Sequence, residues 1–324
     1  MKKILAFLIF VAIMLTVITT VNNGQSIIIY SSMEQFRNED MQDKLNEEFP
    51  DLDIFVMYIP TAKAAAKIAI EGEKTDADIV VDLEGAYMNK VEKFMAEVEQ
   101  YSRLEYLPDA QSDSERYVVW SRQAGSVVIN KDILDKYDLP IPETYEDLLN
   151  PVYKNMIAMP DPKTSGTGFF FLRNLVNVMG EDEAFDYMDK LAINVKQFTE
   201  SGSGPIKLLM QGEIAVGLGL TFQAVNELNN GNHFIIMEPE FGSPYSFTCT
   251  SMIKGRENDK DILRVFDYIV NEYMLIDKMY GSPEKVLTEQ ENRIENYPQN
   301  IHYADMTEID DIQEKERLLE RWKY

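Results

Sequence analysis

Two short stretches concentrate residue types suited to holding an anion. Thr164, Ser165, Gly166, Thr167 and Gly168, within "DPKTSGTGF", and Ser201, Gly202 and Ser203, within "ESGSGP", interleave hydroxyls with glycines just before apolar runs. A loop of this kind feeding a helix N-terminus offers free backbone N–H groups, hydroxyl donors and the positive end of aligned peptide dipoles. Helix capping alone needs one Ser or Thr and no interleaved glycines. Two such loops in successive units therefore point to an oxyanion pocket, with simple tight turns as the competing reading. Lys163 and Arg122 stand near these loops and offer a charge-assisted bond, although Arg122 also reads as a surface charge.

Catalytic chemistry is poorly supplied. His233 and His302 lie in "GNHF" and "QNIHYAD", with no cysteine or second histidine at metal-ligand spacing. "TSGTG" lacks the Gly-Lys-Ser/Thr ending of a phosphate-binding P-loop. Around Ser203, Ser201 and Pro205 replace the two glycines of G-x-S-x-G. Asp82 and Glu84, two residues apart at a strand end, fit a solvated rim better than a general acid and base. No catalytic residue, metal ligand set or cofactor is expected.

The elements that must position these loops alternate strand with helix. "SIIIYSS" precedes Met33, Phe36, Met41, Leu45 and Phe49 at roughly helical spacing; "DIFVMYIP" precedes "TAKAAAKIAIEGE"; "ADIVVDLEG" precedes "AYMNKVEKFMAEV". This alternation predicts a largely parallel α/β sheet, whose ligands sit beyond the carboxyl ends of the strands. In the first lobe those ends carry Tyr30, Ser31 and Ser32, then Pro60, Thr61 and Ala62, then Asp82 to Glu84, with ordinary N-capping as the alternative role. "RYVVWSRQAGSVVINKDIL" reads as two β-rich pieces around Gln123, Ala124 and Gly125, where the chain leaves the first lobe. Three further strand–loop–helix units follow, "HFIIMEPEFGSPYSFTCTSMIKG" crosses back, and the remainder is mostly helical, ending in the charged helix "EIDDIQEKERLLERWKY".

With 324 residues, 45% apolar and 27% charged, the chain holds enough for about two full cores. Its first 24 residues, with Lys2 and Lys3 before an uncharged apolar stretch, read as an export signal. The stretch lacks a clear A-x-A site and approaches membrane-spanning length, so a retained anchor is the alternative. Cys249 is the only cysteine, which leaves neither a lipid-modified cysteine beside the signal nor an internal disulfide. Without residues 1–24 the formal charge of −24 becomes −26. A surface so acidic repels nucleic acid and anionic lipid at long range.

The set "IIIYSSMEQ", "TDADIVVDLEG", "LPIPETYEDLLNPVYKNMIAMPDPKTSGTG", "LLMQGEIAVGLGL", "EPEFGSPYSFTCTSMIKG" and "LLERWKY" resembles the exported solute-binding proteins of ABC importers, in the group with ferric, phosphonate, phosphoglycerate and hexose-phosphate receptors. The resemblance implies a two-lobed type II periplasmic-binding-protein fold, each lobe a mainly parallel sheet flanked by helices, joined by a two-strand hinge. On that basis residues 1–24 are signal or anchor, 25–122 with 240–324 form lobe one, and 123–239 form lobe two.

Ferric members of that group use neighbouring tyrosines at the segment matching "GLGLTFQAV", where this chain has Leu220, Thr221, Phe222 and Gln223. The retained glycine–hydroxyl loop instead favours a small phosphorylated or phosphonate-bearing solute. Thr164, Ser165, Gly166, Thr167, Gly168, Ser201, Gly202, Ser203 and Thr221 are its expected contacts in lobe two. Tyr30, Ser31, Ser32, Thr61, Asp82 and Tyr245 are those in lobe one and the hinge. The expected partners are this solute and an ABC permease in the membrane, with no nucleic acid, the receptor being a monomer in the periplasm or anchored outside the cell. A ferric receptor with a site lacking the tyrosine pair is the alternative, and an exported hydrolase or sensor domain a third reading.

Overall fold

The computed structural model describes residues 26–112 and 114–324; the expected signal or anchor lies outside them. The first half opens with β1 (Ile27–Ser31), α1 (Gln35–Glu48), β2 (Ile54–Tyr58), α2 (Thr61–Glu71), β3 (Ile79–Glu84) and α3 (Gly85–Val91). β1 is flanked in parallel by β2 and β3, with Tyr30 opposite both Met57 and Val80. β3, "IVVDLE", is buried throughout, as a strand covered on both faces must be.

The chain then enters β4 (Val118–Asn130), thirteen buried residues in one unbroken strand. After α4 (Lys131–Tyr137) the second half is built from β5 (Ile157–Pro160), α5 (Gly166–Met179), α6 (Glu181–Leu191), β6 (Val195–Thr199), α7 (Gly204–Met210), β7 (Val216–Leu220), α8 (Thr221–Asn229) and β8 (Phe234–Met237). β9 (Tyr245–Met252) returns to the first half. The strand order is β2-β1-β3-β9-β4-β7-β5-β6, with β8 also on β4.

β4 and β9 are therefore the connection between halves. β4 pairs with β9 as far as Ala124 opposite Tyr245, and from Gly125 opposite Leu220 it pairs with β7. The sequence pattern predicts two pieces here, yet the strand passes through without a loop. Gly125 makes that passage, because a Cβ there would lie 2.6 Å from the Phe170 ring and 2.7 Å from that of Phe171. Its N–H donates to the Pro244 carbonyl at 2.8 Å, which keeps the ladder continuous.

Each half has its own apolar core. Ile29, Trp120, Phe266 and Tyr273 belong to that of the first half, and Phe169, Phe170, Leu218 and Phe222 to that of the second. α9 (Lys260–Tyr268), a π-helical turn (Ile269–Tyr273) and α10 (Met274–Tyr280) complete the first half.

The end of the chain departs from the expected division. Tyr297, Met306, Leu318 and Trp322 pack into the core of the second half rather than the first. The final helix, α11 (Ile312–Arg321), is fastened there by ion pairs from Arg173 to Glu308 and Glu314 and from Arg317 and Arg321 to Glu181. It reaches the first half through Lys315, buried and paired with Glu84, and through Asn89 donating to the Asp310 carbonyl at 3.1 Å. The tail thus straps both halves, with the Lys315 ammonium 4.3 Å from the ring centroids of Tyr87 on one side and Phe169 on the other.

Asp310 on this strap is pushed up to about 7, first by burial and then by the neighbouring Glu84, against the opposing pull of Lys315. Its folded pKa lies above its unfolded value, so its contribution to stability is present below about pH 4 and is lost as pH rises toward 7. Asp310→Asn is expected to raise the urea midpoint at pH 8 and leave it unchanged near pH 4; equal effects at both pH values would contradict this linkage.

Candidate functional site

A cavity of about 390 Å³ lies between the halves, at the carboxyl ends of β1, β2 and β3 on one side and of β5, β6 and β7 on the other. Of the residues singled out from sequence, Ser32, Thr61 and Asp82 border it from the first half, and Thr164, Ser165, Gly166, Thr167, Ser201, Gly202 and Ser203 from the second.

The second-half wall is made largely of donors, with the Glu200 carboxylate at their edge. The Asp161 carbonyl accepts the N–H groups of Thr164 (3.1 Å) and Ser165 (2.9 Å), which curls "DPKTS" into a turn. The N–H groups of Gly166, Thr167 and Gly168 then open the first turn of α5, where none donates to a peptide carbonyl of the described residues. In the neighbouring turn the Ser201 carbonyl accepts from the Thr199 hydroxyl (2.9 Å) and from Gly204 N–H (3.1 Å), and the N–H groups of Ser201, Gly202 and Ser203 have no carbonyl partner among the described residues. Ser165 and Ser203 occupy the residues before α5 and α7, yet neither hydroxyl caps its helix. Capping is therefore not what these hydroxyls do.

The two turns meet face to face: a Cβ on Gly202 would lie 3.0 Å from Thr167 Cβ. Lys207, one turn beyond Ser203, is the cation bordering the cavity from this half. The basic groups expected from sequence serve elsewhere. Lys163 Nζ donates to the Trp322 carbonyl at 2.6 Å. Arg122 is buried rather than on the surface, paired with Asp109 at 2.6 Å and enclosed by the rings of Tyr245, Phe247 and Tyr303.

The first-half wall is made of acceptors. Asp82 sits at φ 60°, next to an irregularity in the β3–β9 ladder, a conformation uncommon for a residue with a side chain. Its carboxylate takes hydrogen bonds from Ser121 (3.0 Å), Thr248 (2.6 Å) and Gln123 (3.0 Å). Arg37 stands behind it, its Nη1 3.8 Å from Asp82 and 3.0 Å from Glu34, while Nε and Nη2 each reach Asp277 at 2.7 Å. Burial pushes the Asp82 and Glu34 carboxyls up, partly offset by Arg37. Burial acts on Asp277 in the same direction, but Arg37 and Lys278 outweigh it and hold that carboxyl at about 2.

Five sequence-derived residues do not border the cavity. Tyr30 alternates to the other face of β1, where its hydroxyl donates to Asp76 and Lys67 lies over its ring. The Ser31 hydroxyl is turned back to accept Met33 N–H at 3.2 Å. Thr221 shares a hydrogen bond with Ser126 beneath the sheet, Gly168 is pressed on the Pro160–Asp161 backbone, and Tyr245 is held in the aromatic cluster around Arg122. Glu34, Glu84, Gln123 and Lys207 border the cavity and were absent from the sequence-derived set of contacts.

Among the described residues no group of three or more His, Cys, Asp or Glu is arranged to hold a metal ion, and no helix is long and apolar enough to cross a membrane. Two α/β halves joined by crossing strands over a solute-sized polar cavity define a binding protein of the type II periplasmic class. The profile of the bacterial extracellular solute-binding proteins matches residues 74–299, and the chain belongs to that family, whose members are receptors of ABC transporters rather than enzymes.

Solved structures with this fold include the periplasmic binding protein P5PA (TM-score 0.78, 22% identity, 92% of this chain and 98% of that one). AfuA from Actinobacillus pleuropneumoniae with fructose-6-phosphate bound has TM-score 0.80 and 21% identity, over 92% and 97% of the two chains. Iron-bound HitA from Pseudomonas aeruginosa has TM-score 0.73 and 13% identity, over 92% and 99%. A Haemophilus influenzae protein is 32% identical over 131 residues, which span 40% of this chain and 38% of that protein's length.

Alanine for glycine in a helix is ordinarily favourable by about 1 kcal/mol. At Gly168 a Cβ would lie 2.6 Å from the Asp161 carbonyl carbon, so the backbone itself must yield. Gly168→Ala is expected to destabilise by about 1–3 kcal/mol, read as a lower urea midpoint; a raised midpoint would show that the loop does not rest on β5.

Proposed function

We propose that the protein is the exported receptor of an ABC importer and captures a small phosphorylated or phosphonate-bearing organic anion between its halves. The observation that carries this reading is the pair of glycine–hydroxyl turns whose unclaimed N–H groups and uncapped hydroxyls border one cavity. A phosphoryl group offers three acceptor oxygens, and hydrogen bonds to charged groups contribute about 1.5–3 kcal/mol each.

The overall charge of −24 does not oppose this. Amides act over a few ångströms, whereas surface carboxylates beyond a Debye length of about 8 Å are screened. Thr164, Ser165, Gly166, Thr167, Ser201, Gly202 and Ser203 hold the oxyanion, while Ser32, Thr61 and the ordered Asp82 meet the organic part. The halves close about β4 and β9, and the closed form is what a membrane permease reads; the receptor works as a monomer, in the periplasm or anchored outside the cell.

A thermal-shift panel of sugar phosphates, phosphoglycerate, phosphonates and ferric salts tests the reading. Ligand at a hundred times its Kd stabilises by about 2.7 kcal/mol, so a cognate phosphoryl compound is expected to raise Tm with the logarithm of its concentration. Thr164→Ala combined with Thr167→Ala is expected to weaken binding about tenfold or more, and more than Arg122→Ala does. A shift with ferric salt or plain sugars alone would overturn the phosphoryl assignment.

A further inference from the structure

The walls of the cavity are unlike in chemistry, and the first-half wall holds acceptors that no group among the described residues satisfies. Asp82 is fully engaged by Ser121, Thr248 and Gln123. Glu34 uses only Oε2, toward Arg37, and no donor meets its Oε1 among the described residues, although its side chain is 11% exposed and borders the cavity. Glu84 uses Oε2 toward Lys315, while its buried Oε1 has no partner among the described residues. Leaving a buried acceptor unpaired costs about 1–3 kcal/mol, more when it is charged.

Charge points the same way. Around and behind the cavity the carboxyl groups of Glu34, Asp82, Glu84, Glu200, Asp277 and Asp310 outnumber the cations Arg37, Lys207, Lys278 and Lys315. A phosphoryl group brings about 1.5–2 further negative charges into that low-dielectric space. A hydroxyl on the solute would satisfy one oxygen and leave the charge; an ammonium carries three donors and a positive charge.

Resting on the phosphoryl reading above, we propose that the solute is dipolar, carrying a protonated amine that Glu34 and Glu84 receive while the second-half turns hold its phosphorus group. The linker between the two groups is short. Glu84 Cδ lies 3.5 Å from where a Cβ on Gly166 would stand, so the amine and oxyanion positions adjoin across the cleft. Glu34 and Glu84 are then specificity-determining residues, and Lys315 positions Glu84 from the strap.

Matched pairs differing only in the amine provide the test, by calorimetry on the whole protein: 2-aminoethylphosphonate against ethylphosphonate, and glucosamine-6-phosphate against glucose-6-phosphate, with ethanolamine and glucosamine as amines lacking phosphorus. In at least one pair the amine-bearing member is expected to bind about tenfold to a hundredfold tighter. Glu34→Gln is expected to bring that ratio close to one. Glu84→Gln strands a buried Lys315, so it is made together with Lys315→Met, and this double variant is expected to reduce the ratio as well. Equal binding within both pairs overturns the amine while leaving the phosphoryl reading intact. Amines that bind as tightly without phosphorus overturn the phosphoryl reading and leave the acceptor wall standing. A preference that survives both variants removes the assignment to Glu34 and Glu84, and no binding by any compound overturns both proposals.

Discussion

The first-half wall depends on one buried guanidinium. Arg37 is 1% exposed and spends its donors on Asp277, Glu34 and, more distantly, Asp82. Burying charges costs several kcal/mol per ion unless each is paired and hydrogen-bonded, and a pair broken on one side leaves the other charge stranded. The network therefore admits little rearrangement: α1 supplies Arg37, the residue before it supplies Glu34, β3 supplies Asp82, and α10 supplies Asp277 and Lys278. Three elements distant in sequence are locked in one geometry by electrostatics rather than by apolar packing alone. Glu34 and Asp82 inherit their positions from that lock, whereas Glu84 takes its own from Lys315.

The opposing wall is fixed differently. Its main-chain donors lie at the head of α5 and in the turn before α7, where Gly168 rests on the Pro160–Asp161 backbone and Gly202 on the Thr167 side chain, each too close to admit a Cβ. Side-chain hydrogen bonds there are few, the Ser201–Ser203 hydroxyl pair at 3.0 Å and Thr199 to the Ser201 carbonyl among them, and the charged network lies on the other wall. Between the walls run β4 and β9, and over one side lies α11, whose Lys315 touches Glu84, Tyr87 and Phe169 together. The Lys315 ammonium thus joins one aromatic ring from each half.

How far this was legible in sequence differs by element. Strand–helix alternation and the two glycine–hydroxyl loops were readable because period, turn chemistry and chain order are local properties. Beyond these, side-chain direction decided the outcome. Tyr30 and Ser32 sit two residues apart, yet Tyr30 lies on the strand and alternates away from the cavity, while Ser32 has already left it. Arg122 read as a surface charge because nothing local announces that Tyr245, Phe247 and Tyr303 from distant segments enclose it. The tail's packing on both halves was hidden for a similar reason: "EIDDIQEKERLLERWKY" is charged enough to look solvated, and the burial of Lys315 depends on a Glu84 more than two hundred residues earlier. Lys207 was the one lining cation within reach of local reasoning, since it follows Ser203 by a single helical turn.

On the proposed reading, the contrast between walls makes closure and selection one event. A group that satisfies the amides of the second half gains nothing from the first, whose uncommitted oxygens want donors. A donor that satisfies the first half gains nothing from the amides. Only a solute presenting both kinds of group draws binding energy from both halves at once, and a ligand shifts a conformational equilibrium by no more than its differential affinity for the two states. With the walls carried on separate halves, that differential is largest for a molecule bridging them. Molecules with one kind of group leave buried polar atoms unpaired on the other wall, which penalises closing around them. The acidic floor held by Arg37 and the amide rim held by glycine packing are therefore two parts of one filter.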